Sequence, residues 1–340
     1  MLPVCLRSEV EYGVGPNPDK RDAVIRAATY RRPEYDNAGI SFSPSTLEAV
    51  RSSLRLQFPP VQQQRGSSFS MLESLPLELL CDVFTSLDIE AILNLRQVSH
   101  RLREAVGAVP AYEFATEHGL DAVLALFWSG LGPHFTLHDV NNALRTEYCA
   151  VPRCGRFGHF VFLPTLNRVC FECLGHERQF SLLLLSKADI AESHSSEKSE
   201  PVHVMHTLPG FYSERKRKYH KQRHHIVAEL DSVKPRDPGR GHYGWPCSNR
   251  YLAAIALPFL ECSGSQVRSH HTVFCKGCVF ARDNKLGPTG RARWLHGRTK
   301  TLPLLVNRMY DHRTYFEHFK WCRQAQILWD SGKEIDSLSS

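Results

Sequence analysis

Hydrophobic residues recur at helical spacing over residues 72–106, where helix and turn signals combine more compactly than in any other window of the chain. Pro76 suits the start of a helix because its missing N–H would have no helical partner there, and Glu78 places negative charge at the positive end of the helix dipole. Spacings of three and four positions predict that one face of this helix carries five apolar side chains: Leu79, Leu80, Val83, Phe84 and Leu87.

Two shorter helices are predicted after the first. Asp88 is suited to cap the second helix, which we expect to end at Leu93. Leu95, Val98, Leu102 and Val106 form the apolar stripe of the third helix, which Gly107 ends. A unit below roughly 40 residues seldom buries enough surface to fold alone, so this one should pack on the rest of the chain, on a partner, or on both.

The apolar positions of this unit resemble those of an F-box. The resemblance implies binding to the Skp-type linker subunit of a ubiquitin ligase built on a cullin scaffold, while the rest of the chain selects an unknown protein substrate. Leu75 and Pro76 precede the stripe, so we expect them to present an apolar corner to the linker. The alternative is an ordinary helical core segment with the same spacing. The partner-binding residues that the resemblance implies are Leu75, Pro76, Leu79, Leu80, Val83, Phe84, Leu87, Leu93, Leu95, Val98 and Leu102.

Two close cysteine pairs, Cys149/Cys154 and Cys170/Cys173, are separated by fifteen residues in a zinc-ribbon-like arrangement. Pairs separated by two to four residues let two thiolates reach one tetrahedral zinc ion, and a strand over Phe160–Leu163 would join the two turns. Four thiolates leave no open coordination position, which predicts a structural zinc ion. The alternative is four buried or free cysteines.

A second zinc site is predicted from a later pair, Cys275 and Cys278. A capping box from Thr314 to Glu317 predicts a helix that runs to about Trp329 and carries His318 and Cys322 on one face. These four side chains would complete a second tetrahedral shell, with two structural zinc ions in all. Plain packing is the alternative, and the substitute ligands are Cys262, His270 and His271. A redox pair is disfavoured because the chain lacks the surrounding βαβ pattern.

The composition is that of an ordinary globular protein, with 340 residues, 42% of them hydrophobic, and a formal net charge of +7. Its basic residues concentrate in one run, residues 215–223, that either lies on a solvated helix face or loop or serves nuclear import or phosphate contact. Tyr219 is the single aromatic residue in the run, which is weak support for base stacking. The charge therefore permits nucleic-acid contact without implying it.

No apolar run reaches the roughly 20 residues of a membrane span, and no secretory signal is recognised. We therefore expect no membrane partner and a location in the cytoplasm, the nucleus or both. In that setting the clustered cysteines indicate metal binding and not disulfides.

The predicted fold class is mainly α with small β elements: an N-terminal three-helix F-box followed by a zinc-stabilised α+β C-terminal region. Helices are expected over Ala111–His118, Ala122–Trp128 and Leu137–Thr146, the last with a capping box from Thr136 to Asp139. A buried strand is expected over Tyr251–Leu257. The predicted domains begin with a mostly disordered tail (1–70) and the F-box (71–108). A helical segment (109–230) follows, which contains the four-cysteine module (149–173) and a basic loop. The chain then continues with a module of a strand, a cysteine knuckle and a helix (231–330) and ends in a tail (331–340).

The order of these parts over about residues 70–330 resembles F-box domain-containing proteins that are abundant in filamentous fungi. That resemblance brings no substrate with it, and the chain lacks leucine-rich, WD and kelch periodicity. The leading hypothesis is a non-enzymatic substrate adaptor without catalytic residues. The alternative is a zinc-dependent nucleic-acid or chromatin-associated protein, although nucleic acid is not favoured as a partner. A zinc hydrolase ranks last because HExxH is absent and both zinc sites use up their ligands.

Overall fold

The chain folds into helices with several small β-sheets. This computed structural model describes residues 18–55, 72, 75–185, 203–212, 218–228, 247–264, 266–284 and 305–338. Two compact units can be distinguished, one formed by Met1–Pro33 with Ser269–Ser340 and the other by Glu34–Arg268. No helix among the described residues combines the length and the apolar composition needed to cross a bilayer.

The secondary structure is given in chain order. The α-helices are α1 (Pro18–Ala28), α2 (Pro33–Asp36), α3 (Pro44–Arg55), α4 (Leu77–Thr85), α5 (Ile89–Val98), α6 (His100–Gly107), α7 (Pro110–His118), α8 (Leu120–Trp128), α9 (Leu137–Arg145), α10 (Phe171–His176), α11 (Lys276–Asp283), α12 (His312–Phe319) and α13 (Arg323–Leu338). The strands are β1 (Thr29–Tyr30), β2 (Phe160–Phe162), β3 (Asn167–Val169), β4 (Leu182–Leu184), β5 (Met205–His206), β6 (Gly210–Tyr212), β7 (Lys218–His220), β8 (His225–Ala228), β9 (Ala254–Ala256), β10 (Phe259–Ser263), β11 (Gln266–His270) and β12 (Phe274–Cys275).

The unit Glu34–Arg268 combines the helices α3 to α9 with short sheets. Strand β2 pairs antiparallel with both β3 and β9, while β8 pairs antiparallel with both β4 and β5. The hairpins β6–β7 and β10–β11 form separate two-stranded sheets. One apolar core runs through this unit and includes Phe84, Ile92, Leu126, Val140 and Phe160. The helices at residues 77–107 therefore pack on the rest of this unit.

The other unit joins the two ends of the chain. Strand β1 pairs antiparallel with β12, with Thr29 opposite Cys275 and Tyr30 opposite Phe274. Its core contains Val24 and Ile25 of α1 together with residues from 273–325. The predicted domain boundaries at residues 70, 108 and 230 do not coincide with this division, because residues before 34 belong with residues after 268.

The prediction of a mostly disordered tail over residues 1–70 is wrong for residues 18–55, which form α1, α2 and α3. Val24 and Ala28 are fully buried, against partners about 250 residues further along the chain. Because α1 is short and highly charged, its own periodicity is weak, and tertiary contacts stabilise it. Residues 1–17 and 56–70 lie outside the described residues. The terminal helix, which the sequence predicts to end near Trp329, continues to Leu338.

The helix caps explain where the predicted boundaries hold and where they fail. The predicted caps are confirmed: Asp88 accepts the N–H of Ala91, and Thr136 forms a capping box with Asp139. The predicted end of the second helix at Leu93 is wrong, because α5 continues to Val98. The hydroxyl of Ser99 accepts the N–H of Leu102 and begins α6. Leu95 and Val98 therefore belong to the second helix.

Two strands were predicted in the larger unit, and the structure confirms them to different extents. The strand predicted over Phe160–Leu163 is confirmed as β2, which ends at Phe162. The strand predicted over Tyr251–Leu257 is confirmed only for β9, since Cys247–Ala253 forms a 3₁₀ helix. A continuous apolar run cannot distinguish a buried strand from a buried helical turn by its pattern alone.

Arg168 on β3 joins separate segments of the larger unit. The residue is 1% exposed, and its guanidinium donates hydrogen bonds to the backbone carbonyls of Ala143, Gly158, Leu257 and Pro258. Burial lowers the pKa of this side chain to about 9. These bonds connect α9 with the segments that flank β2 and β9.

Replacing Arg168 with leucine should destabilise the protein by about 3 kcal/mol or more, because buried carbonyls left without a donor cost roughly 1–3 kcal/mol each. Arg282→Leu is the matched control, since its side chain is 51% exposed and should change stability by less than about 0.5 kcal/mol. Urea unfolding of both variants measures the difference. Equal midpoints would show that the carbonyls have other donors.

Candidate partner surface and metal centres

Helix α4 divides its apolar residues between two faces. Leu80 and Phe84 are almost fully buried and belong to the protein's own core. Leu79 and Val83, one helical turn apart, are 50% and 44% exposed. Pro76 at the N-cap is also exposed and precedes them at helical spacing, so the three form one apolar stripe directed away from the core.

The remaining residues predicted to bind a partner also divide by burial. Leu102 is buried, while Leu75, Leu87, Leu93 and Leu95 are partly buried and pack against the core. Val98, at the end of α5, is 70% exposed. Of the two residues predicted to form an exposed apolar corner, Pro76 is exposed, whereas Leu75 is partly buried. Leu80, Phe84 and Leu102 cannot be reached by a partner while the unit is folded.

Sequence reasoning missed Leu77, which is 48% exposed at the first position of α4. Four of the large hydrophobic side chains that the described residues expose lie within residues 77–98: Leu77, Leu79, Val83 and Val98. An apolar surface of this kind on a folded unit is typical of a protein-protein contact.

Arg96 explains how the α4–α6 unit is tied to its surroundings. The side chain is buried on α5 and donates hydrogen bonds to the Tyr112 hydroxyl at 2.7 Å and to the Leu54 carbonyl at 2.9 Å. Burial raises the pKa of Tyr112 to about 12. The guanidinium thus connects α5 with α3 and α7.

The first cysteine cluster consists of Cys149, Cys154, Cys170 and Cys173, whose sulfur atoms all lie within 4.8 Å of one another. The turn that carries the first pair needs two left-handed residues, Arg153 with φ 65° and Gly155 with φ 60°. Cys170 caps α10, and its sulfur accepts the N–H of Cys173 at 3.4 Å. The β2–β3 hairpin brings the two pairs together.

The sulfur positions fit a single tetrahedral cation. Sulfur atoms about 2.3 Å from a tetrahedral zinc ion are about 3.8 Å apart. The observed separations are 3.7 Å between Cys154 and Cys170 and 3.6 Å between Cys154 and Cys173. A disulfide would need about 2.05 Å, and these four cysteines are free. The cluster can hold a metal ion.

The second cluster consists of Cys275, Cys278, His318 and Cys322, all buried and again with ligand atoms within 4.8 Å. Cys275 ends β12, and Cys278 follows in the first turn of α11. Gly277 lies between them, where a Cβ would come within 2.3 Å of the Ala325 backbone nitrogen. The missing side chain therefore lets the α11 turn approach α13.

The two later ligands lie beside a break in the terminal helix. The predicted single helix from Thr314 to about Trp329 is wrong: Asp311 caps α12 through a capping box with Thr314, and α12 ends at Phe319 before α13 begins at Arg323. The Cys322 N–H still bonds to the His318 carbonyl at 3.1 Å, so the spacing of one turn is kept. The buried Gln326 amide donates to the backbone carbonyls of Phe319 and Lys320, and so supplies hydrogen-bond donors at the end of α12.

The distances in the second cluster also fit a tetrahedral cation. The Cys322 sulfur lies 3.7 Å from that of Cys275 and 3.9 Å from that of Cys278. His318 directs Nε2 toward the sulfurs, 3.3 Å from that of Cys278. The proposed substitute ligands Cys262, His270 and His271 are not part of either cluster, and Cys262 is exposed.

Each cluster holds one thiol with a depressed pKa. Hydrogen bonds from Cys149 and the neighbouring thiols lower the pKa of Cys170 to about 5. Hydrogen bonds from Cys278 and Cys322 lower the pKa of Cys275 in the same way. Burial raises the pKa of Cys173 to about 12, so a cation must displace its proton on binding. Metal affinity should therefore fall as the pH falls.

Tyr310 orients the histidine of the second cluster. Its hydroxyl lies 3.1 Å from His318 Nδ1, and the two rings are stacked with centroids 4.7 Å apart. A neutral histidine that binds a cation through Nε2 carries its proton on Nδ1, which then donates to the Tyr310 oxygen. Tyr310 thus favours the tautomer that a metal needs.

Tyr310→Phe should lower the metal affinity of the second cluster by roughly tenfold or more, the usual effect of losing a partner of a ligating histidine. A chelator titration that follows metal release in two phases measures this effect. The first cluster is the internal control, because Tyr310 lies outside it and the variant should release metal from it as the wild type does. If the variant also released metal from the second cluster as the wild type does, the role assigned to Tyr310 would be wrong.

Comparison with known families addresses the helical unit. The family model described as F-box domain matches residues 72–113, which span α4, α5, α6 and the start of α7. This segment is an F-box domain, as the sequence pattern indicated. F-box domains bind Skp-type linkers in cullin ligases. The match does not extend to the cysteine-rich regions, and no curated protein and no solved structure matches the chain.

Proposed function

We propose that the protein is a substrate-recognition adaptor of a Skp-cullin-F-box type ubiquitin ligase. The observation that carries the proposal is an F-box domain at residues 72–113 whose apolar surface includes Leu79, Val83 and Val98. Buried side chains hold this surface in place, so it is available to a partner without unfolding. The linker subunit binds there and connects the protein to the cullin scaffold.

The residues after the F-box bind the substrate in this proposal and catalyse no reaction. Both metal clusters hold structural zinc, because thiolate and imidazole ligands in a closed tetrahedral set favour zinc and leave no position for a substrate. Zinc at Cys149, Cys154, Cys170 and Cys173 stabilises the larger unit, and zinc at the second cluster stabilises the smaller one. The protein acts in the cytoplasm, the nucleus or both.

Reconstitution with the linker and the cullin tests this function. The tagged full-length protein should retain the linker directly and the cullin only when the linker is present. Retention of the cullin without the linker, or of neither protein by a folded sample, would remove the basis for an adaptor role.

A further inference from the structure

Three residues of the concentrated basic run, Lys218–His220, form one strand of a β-hairpin. Strand β7 pairs antiparallel with β6, with Gly210 opposite His220, Phe211 opposite Tyr219 and Tyr212 opposite Lys218. Residues 218–220 are therefore neither a helix face nor a loop, the two structural interpretations that the sequence suggested for this run. The pairing also places a residue from outside the run, Phe211, next to Tyr219.

Phe211 and Tyr219 form an exposed aromatic pair. Their ring centroids are 5.0 Å apart, and the side chains are 49% and 52% exposed. Successive residues of a strand point to opposite faces of the sheet, so Tyr212 lies on the other face from Phe211. There Tyr212 is buried and its hydroxyl donates to the Leu208 carbonyl at 2.7 Å. Tyr212 thus anchors the hairpin and leaves the aromatic pair open to solvent.

The sequence on both sides of Tyr219 is strongly basic. Residues 203–228 contain six of the chain's lysines and arginines and a single acidic residue, Glu214. Lys221 and Arg223, which follow Tyr219 at alternate positions, are both exposed. Clustered cations create a positive potential that attracts an anionic partner.

We propose that the β6–β7 hairpin binds single-stranded nucleic acid. Bases stack on Phe211 and Tyr219, while Lys221 and Arg223 contact the phosphates. Each nucleotide of a single strand supplies both a flat base and a negative charge, which matches exposed rings beside cations. An acidic peptide could pair with the cations but does not present an aromatic ring with each negative charge. In a duplex the bases are stacked inside the helix and are not free to stack on Phe211 and Tyr219.

This inference goes beyond the adaptor function and does not depend on it. Linker binding uses the F-box surface at Leu79 and Val83, whereas nucleic-acid binding uses the hairpin. The two activities can therefore be measured separately in the full-length protein.

Fluorescence anisotropy with a labelled oligothymidylate of about 16 nucleotides tests the proposal. Phe211→Ala/Tyr219→Ala should lower the affinity at least about tenfold, because stacking contributes strongly for each base, while leaving the salt dependence unchanged. Lys221→Ala/Arg223→Ala should instead reduce the slope of log affinity against log salt by about 0.7 for each phosphate that the variant no longer neutralises. Val267→Ala/Phe280→Ala, which removes exposed apolar side chains elsewhere, is the matched control and should change neither.

A comparison on the wild-type protein needs no variant. An abasic oligomer of the same length should bind at least about tenfold more weakly than oligothymidylate, because it keeps the phosphates and lacks the bases. Equal affinity for the two oligomers would overturn the proposal, since charge alone would then account for binding. Equally tight binding of polyglutamate would overturn it in favour of an acidic protein partner, and absence of binding at low salt would overturn it outright.

Discussion

Cys170→Ser should leave the larger unit unfolded or close to unfolding at room temperature. Cys170 both contributes a sulfur to the first cluster and caps α10, and it belongs to the apolar core of that unit. Structural zinc contributes on the order of 10 kcal/mol to folding, which is comparable to the whole stability of a typical domain. A hydroxyl at this position neither ionises nor replaces the thiolate, so most of that contribution is lost.

Circular dichroism and elemental analysis measure this effect together. Wild type should contain two zinc ions per molecule, and any folded Cys170→Ser should contain one. Cys262→Ser is the matched control, because Cys262 is exposed and outside both clusters, and it should keep both ions and its stability within about 0.5 kcal/mol. If the two serine variants behaved alike, or if folded wild type held less than one zinc, the assigned ligands would be wrong.

Leu79→Ala/Val83→Ala should lower the affinity for the Skp-type linker at least roughly thirtyfold, or about 2 kcal/mol, while leaving the fold intact. The two side chains are half exposed on one face of α4, so they contribute little to the protein's own core. Burial of that face against a partner is their largest available stabilising interaction. Calorimetric titration of the linker into each variant measures the change.

Two other variants separate the interface from the fold. Phe84→Ala should cost about 3–5 kcal/mol of stability, because the ring is fully buried in the core. Val267→Ala removes an exposed valine outside the F-box and should change neither stability nor linker affinity. An unchanged affinity for the Leu79→Ala/Val83→Ala variant would place the linker contact elsewhere on the protein.

Local signals were sufficient to predict parts of this fold. The caps at Asp88 and Thr136 depend on residues within three positions, and both are present. By contrast, the boundary between α5 and α6 at Ser99 was missed. The apolar spacing of Leu95, Val98 and Leu102 continues across Ser99 and gives no sign that a new helix begins there. The helix α1 was missed because its burial depends on Tyr315 and Phe316, far along the chain.

Residues that serve long-range interactions were also missed. Arg168 has the pattern of an ordinary charged position between Asn167 and Val169, and only the fold shows that four carbonyls converge on its guanidinium. Phe211 gave no signal either, since its pairing with Tyr219 depends on a hairpin register that the sequence does not specify. Nothing in the local sequence around either residue indicates these interactions.

The cysteine clusters were more accessible to sequence reasoning. Cysteines three or five positions apart can bind the same cation, so each close pair is readily recognised as half of a tetrahedral site. His318 and Cys322 were grouped with Cys275 and Cys278 because four positions span one helical turn. The structure keeps the hydrogen bond of that turn although the helix breaks between Phe319 and Arg323, and it brings all four side chains together.

The decisive measurement for the adaptor function is the affinity of the wild-type protein for the Skp-type linker. We expect a complex of one linker per protein with a dissociation constant of about 1 μM or tighter, formed by full-length protein that is folded and loaded with the two proposed zinc ions. A protein that meets both conditions and gives no heat and no complex with the linker would contradict the adaptor function.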